Sequence, residues 1–500
     1  MRLRRRPIAV CLLMLALGLG GLRCFDLGID LFAPGVRVLP GGFLVRPYLQ
    51  LGDAPTPRAL RVVWQAEDAE ASWSLEYRPR ADQPWQPAEA PEYRRIAVPG
   101  TPAHRVYRVD LNDLEPGAAF EYRVRRADEV VFAAEGRAPK DARQPYRFAV
   151  FGDCGAGTAE ERQVADQLYR SRPDFLLIAG DIVYTRGRIR EYRDKFWPVY
   201  DADIASPTVG APLLRSSLFV TAPGNHDVAA RDLGQYPDGL AYFYYWDQPL
   251  NGPVGREGGP LTPLLLGPEA NREAFLRAAG PAYPRMANFS FDYGNAHWTV
   301  LDSNNYVDWT DPDLRAWVAR DLAAAKGATW RFVAFHHPPF NSSRAHFGDQ
   351  HMRVLVDVFE AGHVDVVWTG HVHNYQRTYP LTFERDRGPD GRPIRRADLI
   401  PGRWTLDTAY DGRDHTRPRG IIYVITGGGG ADLYYPYQED DPASWQPFTR
   451  KLIARVHSLS VADIDGPTLT VRQLAADGRE VDRFVVTKDP EKPPAATGGP

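Results

Sequence analysis

From Arg147 onward, short unbroken apolar runs alternate with helix-forming stretches, and five of the runs end in a compact polar motif. The runs include Arg147-Phe-Ala-Val-Phe151, Phe175-Leu-Leu-Ile-Ala179, Ser217-Leu-Phe-Val220, His297-Trp-Thr-Val-Leu301, Arg331-Phe-Val-Ala-Phe335, Val364-Asp-Val-Val-Trp368 and Ile421-Ile-Tyr-Val-Ile425. A strand apolar on both faces must be covered on both, so the pattern predicts an α/β core with helices outside its sheets. The motifs are Gly152-Asp153-Cys154-Gly155, Gly180-Asp181-Ile182-Val183-Tyr184, Gly224-Asn225-His226-Asp227, Val333-Ala334-Phe335-His336 and Gly370-His371-Val372-His373. Their polar residues stand at or just past strand carboxyl ends, where α/β sheets bind ligands. Side chains as distant as Asp153 and His373 can thus meet in one crevice. Two carboxylates, a phenol, an amide oxygen and three imidazoles are the donors needed to hold two metal ions. A single Gly-Asp or Gly-His pair is commonplace; five in order at strand ends are not explained by turns alone.

The rest of the chain organises around that core. Residues 45–138 carry short alternating strands, among them Leu60-Arg-Val-Val-Trp64, Trp73-Ser-Leu-Glu-Tyr77, Arg105-Val-Tyr-Arg-Val-Asp-Leu111 and Phe120-Glu-Tyr-Arg-Val124, separated by Pro, Gly and Asp. That predicts a small all-β sandwich with Trp64 in its core. Ala138-Pro-Lys-Asp-Ala-Arg-Gln-Pro145 reads as the linker to a catalytic domain at 145–487, with a helix over 159–171. Residues 229–287, rich in Pro, Gly and Tyr, read as an extended loop on the rim, and 458–486 as closing strands. The Pro/Gly tail 488–500 is expected to be disordered. At the other end, Arg2, Arg4, Arg5 and Arg6 precede an apolar stretch from Ile8 to Leu22. Residues 1–24 therefore read as a signal peptide or an N-terminal anchor, which implies export to the periplasm or the extracellular side.

Composition narrows the partners. Sixty basic against 63 acidic residues leave a net charge of -3, without the basic field that nucleic-acid binding requires. No later segment could span a bilayer, so a membrane enters only through an N-terminal anchor. Three cysteines, Cys11, Cys24 and Cys154, do not make a disulfide framework. Cys154 sits inside the first motif and reads as a small apolar filler behind the site.

In order, the motifs follow GDxG, GDxxY, GNH with a following acid (Asp227), VxxH and GHxH. The chain thereby resembles the purple acid phosphatase branch of the calcineurin-like metallophosphoesterases, in which Tyr184 is the distinguishing element. The resemblance implies a metallophosphoesterase β-sandwich flanked by helices (α/β/β/α), and the Leu114–Tyr122 turn adds a fibronectin type III-like N-terminal domain. It implies that Asp181 bridges two metals, with Asp153, Tyr184 and His373 completing one site and Asn225, His336 and His371 the other. The oxygen-rich set with the phenolate suits Fe(III); the amide and imidazoles suit Zn(II), Mn(II) or Fe(II). The implied activity is an acid-phosphatase-like hydrolysis of small phosphomonoesters by a metal-bound hydroxide. His226 would assist the leaving group, since imidazoles titrate near neutrality. His346 would contact phosphate; Ala345 occupies the place where the family carries a further histidine. Two alternatives stand beside this: a phosphodiesterase using the same metals, and a surface binding protein with a vestigial catalytic domain.

Overall fold

The computed structural model describes residues 37–489, apart from 81, 257, 396 and 397. The 1–24 segment and residues 490–500 lie outside the described residues. Lys488, expected in the tail, is instead held to the body: its Nζ donates to Thr329 O at 2.6 Å and lies 2.7 Å from Asp365 Oδ2.

Toward the N-terminus, two antiparallel sheets of four strands face each other. One runs in the order Phe43–Gln50, Leu60–Glu67, His104–Leu111, Glu92–Ile96; the other runs Gln86–Pro87, Trp73–Arg78, Ala119–Arg126, Glu129–Arg137. Period-two alternation along these strands sends Trp64, Trp73 and Tyr107 inward. Trp64 is buried and stacks on Tyr107 with ring centroids 5.4 Å apart.

The remaining chain builds a second, larger sandwich. Its first sheet orders Leu218–Ala222, Phe175–Ala179, Tyr146–Phe151, Ser458–Asp465, Thr468–Ala475 and Glu480–Thr487. The first three strands are parallel, and the last three add antiparallel. The second sheet places Ala296–Val300, Trp330–Ala334, Val366–Thr369 and Ile422–Thr426 parallel to one another, with antiparallel strands at both flanks. Alternate residues explain the unbroken apolar runs. Phe148, Val150, Phe175, Leu177, Trp298, Phe332 and Trp368 fill the space between the sheets. Ala149, Phe151, Leu176 and Ile178 point outward onto Val164, Ala165 and Leu168 of the Ala159–Ser171 helix. Val333, Phe335 and Val367 meet Val318 and Leu322 of the Pro312–Ala324 helix and Phe359 of the Val356–Ala361 helix. Each such buried side chain contributes roughly 1.5–3 kcal/mol, so neither face could be left wet. The architecture is the expected α/β/β/α.

The 229–287 segment is not the rim loop that its composition suggests. Tyr242–Tyr245 form a short helix and Glu269–Ala279 a longer one, and Tyr242, Phe243, Tyr244, Tyr245 and Trp246 are all buried. Trp246 Nε1 donates to the Tyr192 hydroxyl at 3.1 Å, and the Tyr48 hydroxyl donates to Tyr245 O at 2.8 Å. Arg94, from the N-terminal sandwich, donates to Ala279 O and Tyr244 O at 2.8 and 2.7 Å. These aromatics cement the two sandwiches because large rings with a polar tip satisfy both packing and hydrogen bonding at an interface.

Candidate metal centre

Asp181, Asn225 and His371 each follow a glycine whose position leaves no room for a side chain. At Gly180 (φ +85°) a Cβ would stand 2.4 Å from His336 Nδ1, and at Gly224 one would stand 2.2 Å from Asp181 Oδ1. Asp153, Asp181 and His371 themselves adopt positive φ of 58°, 50° and 67°. Such backbone is costly for non-glycine residues and survives where the surroundings over-determine it, typically at functional sites. Here the glycines allow close approach and the strained residues turn their side chains into one crevice.

The seven metal-ligand candidates do come together, in two groups sharing an edge. In the first, the Tyr184 hydroxyl donates to Asp153 Oδ1 at 3.0 Å and lies 2.9 Å from His373 Nε2, itself 3.4 Å from Asp153 Oδ1. In the second, Asn225 Oδ1 lies 3.1 Å from His336 Nε2 and 3.0 Å from His371 Nδ1. Asp181 stands between them, its Oδ2 3.3 Å from His336 Nε2, while Asp153 Oδ1 and His336 Nε2 are 4.0 Å apart. Asp153, Asp181 and His336 are essentially excluded from solvent.

The donor chemistry tests whether cations fit. His336 Nδ1–H donates to Ala179 O at 2.8 Å, and His373 Nδ1–H donates to Asp432 O at 2.7 Å. His371 Nε2–H donates to Asp349 Oδ2 at 3.1 Å. Each imidazole therefore has one nitrogen committed outward as a donor, and its other nitrogen faces the oxygens of Asn225, Asp181 or Asp153. A ring nitrogen facing an oxygen at such distances needs a positive charge between them, a proton or a metal ion in its place. Burial, with His336 and His346 nearby, lowers His371 to about 4 despite Asp349, leaving it a neutral ligand. Burial also works against a charged His336, yet Asp181 and Asp153 hold it at about 9, so this edge attracts positive charge. The residues fit a pair of cations.

The remaining predicted residues frame the crevice. His226 Nδ1–H donates to Thr185 O at 2.7 Å, its ring packs 4.5 Å from that of Tyr184, and its Nε2 reaches 3.8 Å from Asp181 Oδ2. It is partly exposed, as a group meeting substrate must be. His346 Nδ1–H donates to Asp349 Oδ2 at 2.9 Å, and its ring lies 4.1 Å from that of His371. Asp227 is buried and accepts Gly224 N–H at 2.8 Å and Ile182 N–H at 3.1 Å, splinting two ligand turns together. Cys154 is buried with its thiol toward Ile182 O, 3.6 Å away. Arg377 does not face the site; it pairs with Asp482.

Three residues escaped the motif reading. Asp349 takes both His346 and His371. Ser303 Oγ accepts His336 N–H at 3.1 Å and His337 N–H at 2.9 Å. Tyr434 stacks flat on His373, 4.1 Å and 8° between rings. Only Tyr434 had a usable signal: it follows Gly427–Gly430. That run is a packed turn, since a Cβ on Gly427 would stand 2.7 Å from Asp153 Oδ2.

The helix after the first motif yields a pH prediction. Thr158 caps it by accepting Glu161 N–H at 3.1 Å and donates to Gly430 O at 2.7 Å. Burial pushes the Glu161 carboxyl from 4.5 up to about 8. The folded chain keeps this proton to higher pH than the unfolded chain does. Glu161 therefore makes stability fall as pH rises from 4.5 toward 8, by at most about 1.4 kcal/mol per unit. Glu161→Gln should flatten that part of the slope in denaturant unfolding measured at pH 5 and pH 8. An unchanged slope would refute the assignment.

Residues 146–375 match the calcineurin-like phosphoesterase family. Purple acid phosphatase 23 of Arabidopsis thaliana is 27% identical over 305 residues, covering 54% of this chain and 57% of that protein. A nucleotide pyrophosphatase/phosphodiesterase of Hordeum vulgare is 24% identical over 376 residues, covering 69% of this chain and 83% of that protein. The fold resembles that of the purple acid phosphatase PPD1 from yellow lupin (Lupinus luteus) seeds, with a TM-score of 0.61 at 15% identity over 89% of this chain and 75% of that one. The chain spans just over half the length of the Arabidopsis purple acid phosphatases 23 and 21, 57% and 56%.

Proposed function

The chain carries a calcineurin-like phosphoesterase domain at residues 146–375, and on that premise we propose that it hydrolyses small phosphomonoesters with two metal ions. The observation that carries the reading is the convergence of three imidazole nitrogens on the oxygens of buried Asp153 and Asp181 and of partly buried Asn225. Asp153, Tyr184, His373 and Asp181 would hold one cation; Asn225, His336, His371 and Asp181 the other. The first set, with two carboxylates and a phenol, suits Fe(III), and the second Zn(II), Mn(II) or Fe(II). When bound, such a pair supplies Lewis acidity that lowers the pKa of water and neutralises phosphoryl charge.

The chain's own residues do the rest. His226, its Nδ1–H tied to Thr185 O, presents Nε2 to the crevice and can deliver a proton to the leaving oxygen. His346, its Nδ1–H tied to Asp349, turns Nε2 free to meet a phosphate oxygen. The pattern of residues 1–24 supports export, and among the described residues no helix is long and apolar enough to cross a membrane. The N-terminal sandwich keeps its fibronectin type III-like reading from the Leu114–Tyr122 turn.

Ala345 favours a second reading. With one histidine fewer for free phosphate oxygens, a diester loses less than a monoester, and the barley relative carries a phosphodiesterase name. Turnover of p-nitrophenyl phosphate against bis-p-nitrophenyl phosphate, with metal content measured on the same sample, separates the two. The monoester should turn over faster. A protein holding two metals that hydrolyses neither would leave the binding-protein alternative. With iron bound, a tyrosinate charge-transfer band should colour the protein, and Tyr184→Phe should remove it; an active, iron-free, colourless protein would overturn the Fe(III) assignment.

A further inference from the structure

Asp349 stands outside every motif, yet one of its oxygens serves two histidines. Oδ2 accepts His371 Nε2–H at 3.1 Å and His346 Nδ1–H at 2.9 Å, and the two rings sit 4.1 Å apart. The loop presents this carboxylate deliberately: Asp349 N–H donates to His346 O at 3.0 Å, and Asn341 Nδ2 donates to the same carbonyl at 3.0 Å. An imidazole that gives one proton to a carboxylate has its tautomer and ring angle fixed, and its other nitrogen becomes a better base. For His371 that other nitrogen is Nδ1, 3.0 Å from Asn225 Oδ1 within the second ligand group. For His346 it is Nε2, the atom left free on the rim.

We propose that Asp349 is a positioning residue that orients a metal ligand and a phosphate-contacting histidine through one shared oxygen. The assignment rests on the two-cation reading above. It makes the second cation's affinity and the grip on phosphate depend on the same side chain. The carboxylate is one-third exposed on its loop, so its removal is not a core mutation.

Zinc titration of the stripped full-length protein, followed by inorganic phosphate binding to the zinc-loaded form, tests this. Asp349→Ala should weaken one of two zinc-binding steps by about 10–100-fold and leave the other unchanged. Asp349→Glu should restore part of the loss. His346→Ala should leave both zinc steps unchanged while weakening phosphate binding. The double variant should bind phosphate no worse than the weaker single variant, because both act at one contact. Wild-type zinc affinities in Asp349→Ala, or additive phosphate losses in the double variant, would overturn the inference and leave the phosphoesterase reading standing. A wild-type protein that binds no pair of cations, neither zinc with zinc nor iron with zinc, would overturn both.

Discussion

The expected result for Asp181→Asn is a loss of phosphoester turnover beyond about 10³-fold, with fewer than two cations retained. Asp181 is 1% exposed. Its Oδ1 accepts His226 N–H at 2.8 Å, and its Oδ2 lies 3.3 Å from His336 Nε2. Burial opposes a charged carboxylate, but His336 and His226 hold its pKa below the ordinary range. The amide keeps the shape and removes the charge. It also presents either a neutral oxygen or an N–H to the imidazole nitrogens that face it. Losing an outer hydrogen-bond partner costs roughly 10–100-fold in affinity; losing the shared carboxylate should cost more. Metal analysis beside p-nitrophenyl phosphate turnover checks it. Two cations and undiminished turnover in the variant would mean that Asp181 bridges nothing.

Asp482→Ala should produce the largest stability loss, about 3–5 kcal/mol, because it strands a buried guanidinium. Arg377 is 5% exposed and meets Asp482 through two hydrogen bonds, Nε to Oδ2 at 2.7 Å and Nη2 to Oδ1 at 3.1 Å. The Tyr375 hydroxyl donates to the same carboxylate at 2.8 Å. The pair joins the Tyr375–Thr378 strand of one sheet to the Glu480–Thr487 strand of the other. That first strand begins two residues after His373, so its loosening should also lower metal affinity. Replacing both partners by Arg377→Met and Asp482→Leu should recover most of the stability, since no charge then stays buried unpaired. Denaturant unfolding measures all three variants; a loss under about 1 kcal/mol in Asp482→Ala would show the pair to be unimportant.

Much of the site was legible because its signals are local. A glycine that lets two ligand turns approach stands directly before a ligand in the chain, as Gly180 does before Asp181 and Gly224 before Asn225, and an apolar run before each turn marks a buried strand. The Ala159–Ser171 helix was legible from its amphipathic pattern, and in the structure Thr158 caps it. Asp349 gave no such sign, because an aspartate three residues after a histidine in a polar loop is unremarkable until His371 arrives beside it. The 229–287 segment misled for the opposite reason. Composition rich in Pro, Gly and Tyr describes irregular backbone, and irregular backbone can be buried when its rings find a second domain to pack against.

The alternation of apolar residues and the order of the motifs were decided by the chain itself, since each depends on neighbours within a few positions. Sheet order, the split of the core into two facing sheets, and the meeting of Asp349 with two imidazoles were decided only in three dimensions. Strand pairing such as Tyr146–Phe151 with Ser458–Asp465 joins segments that no local pattern connects. Its outcome is set by which apolar faces can cover one another, and that is a property of the whole packed molecule.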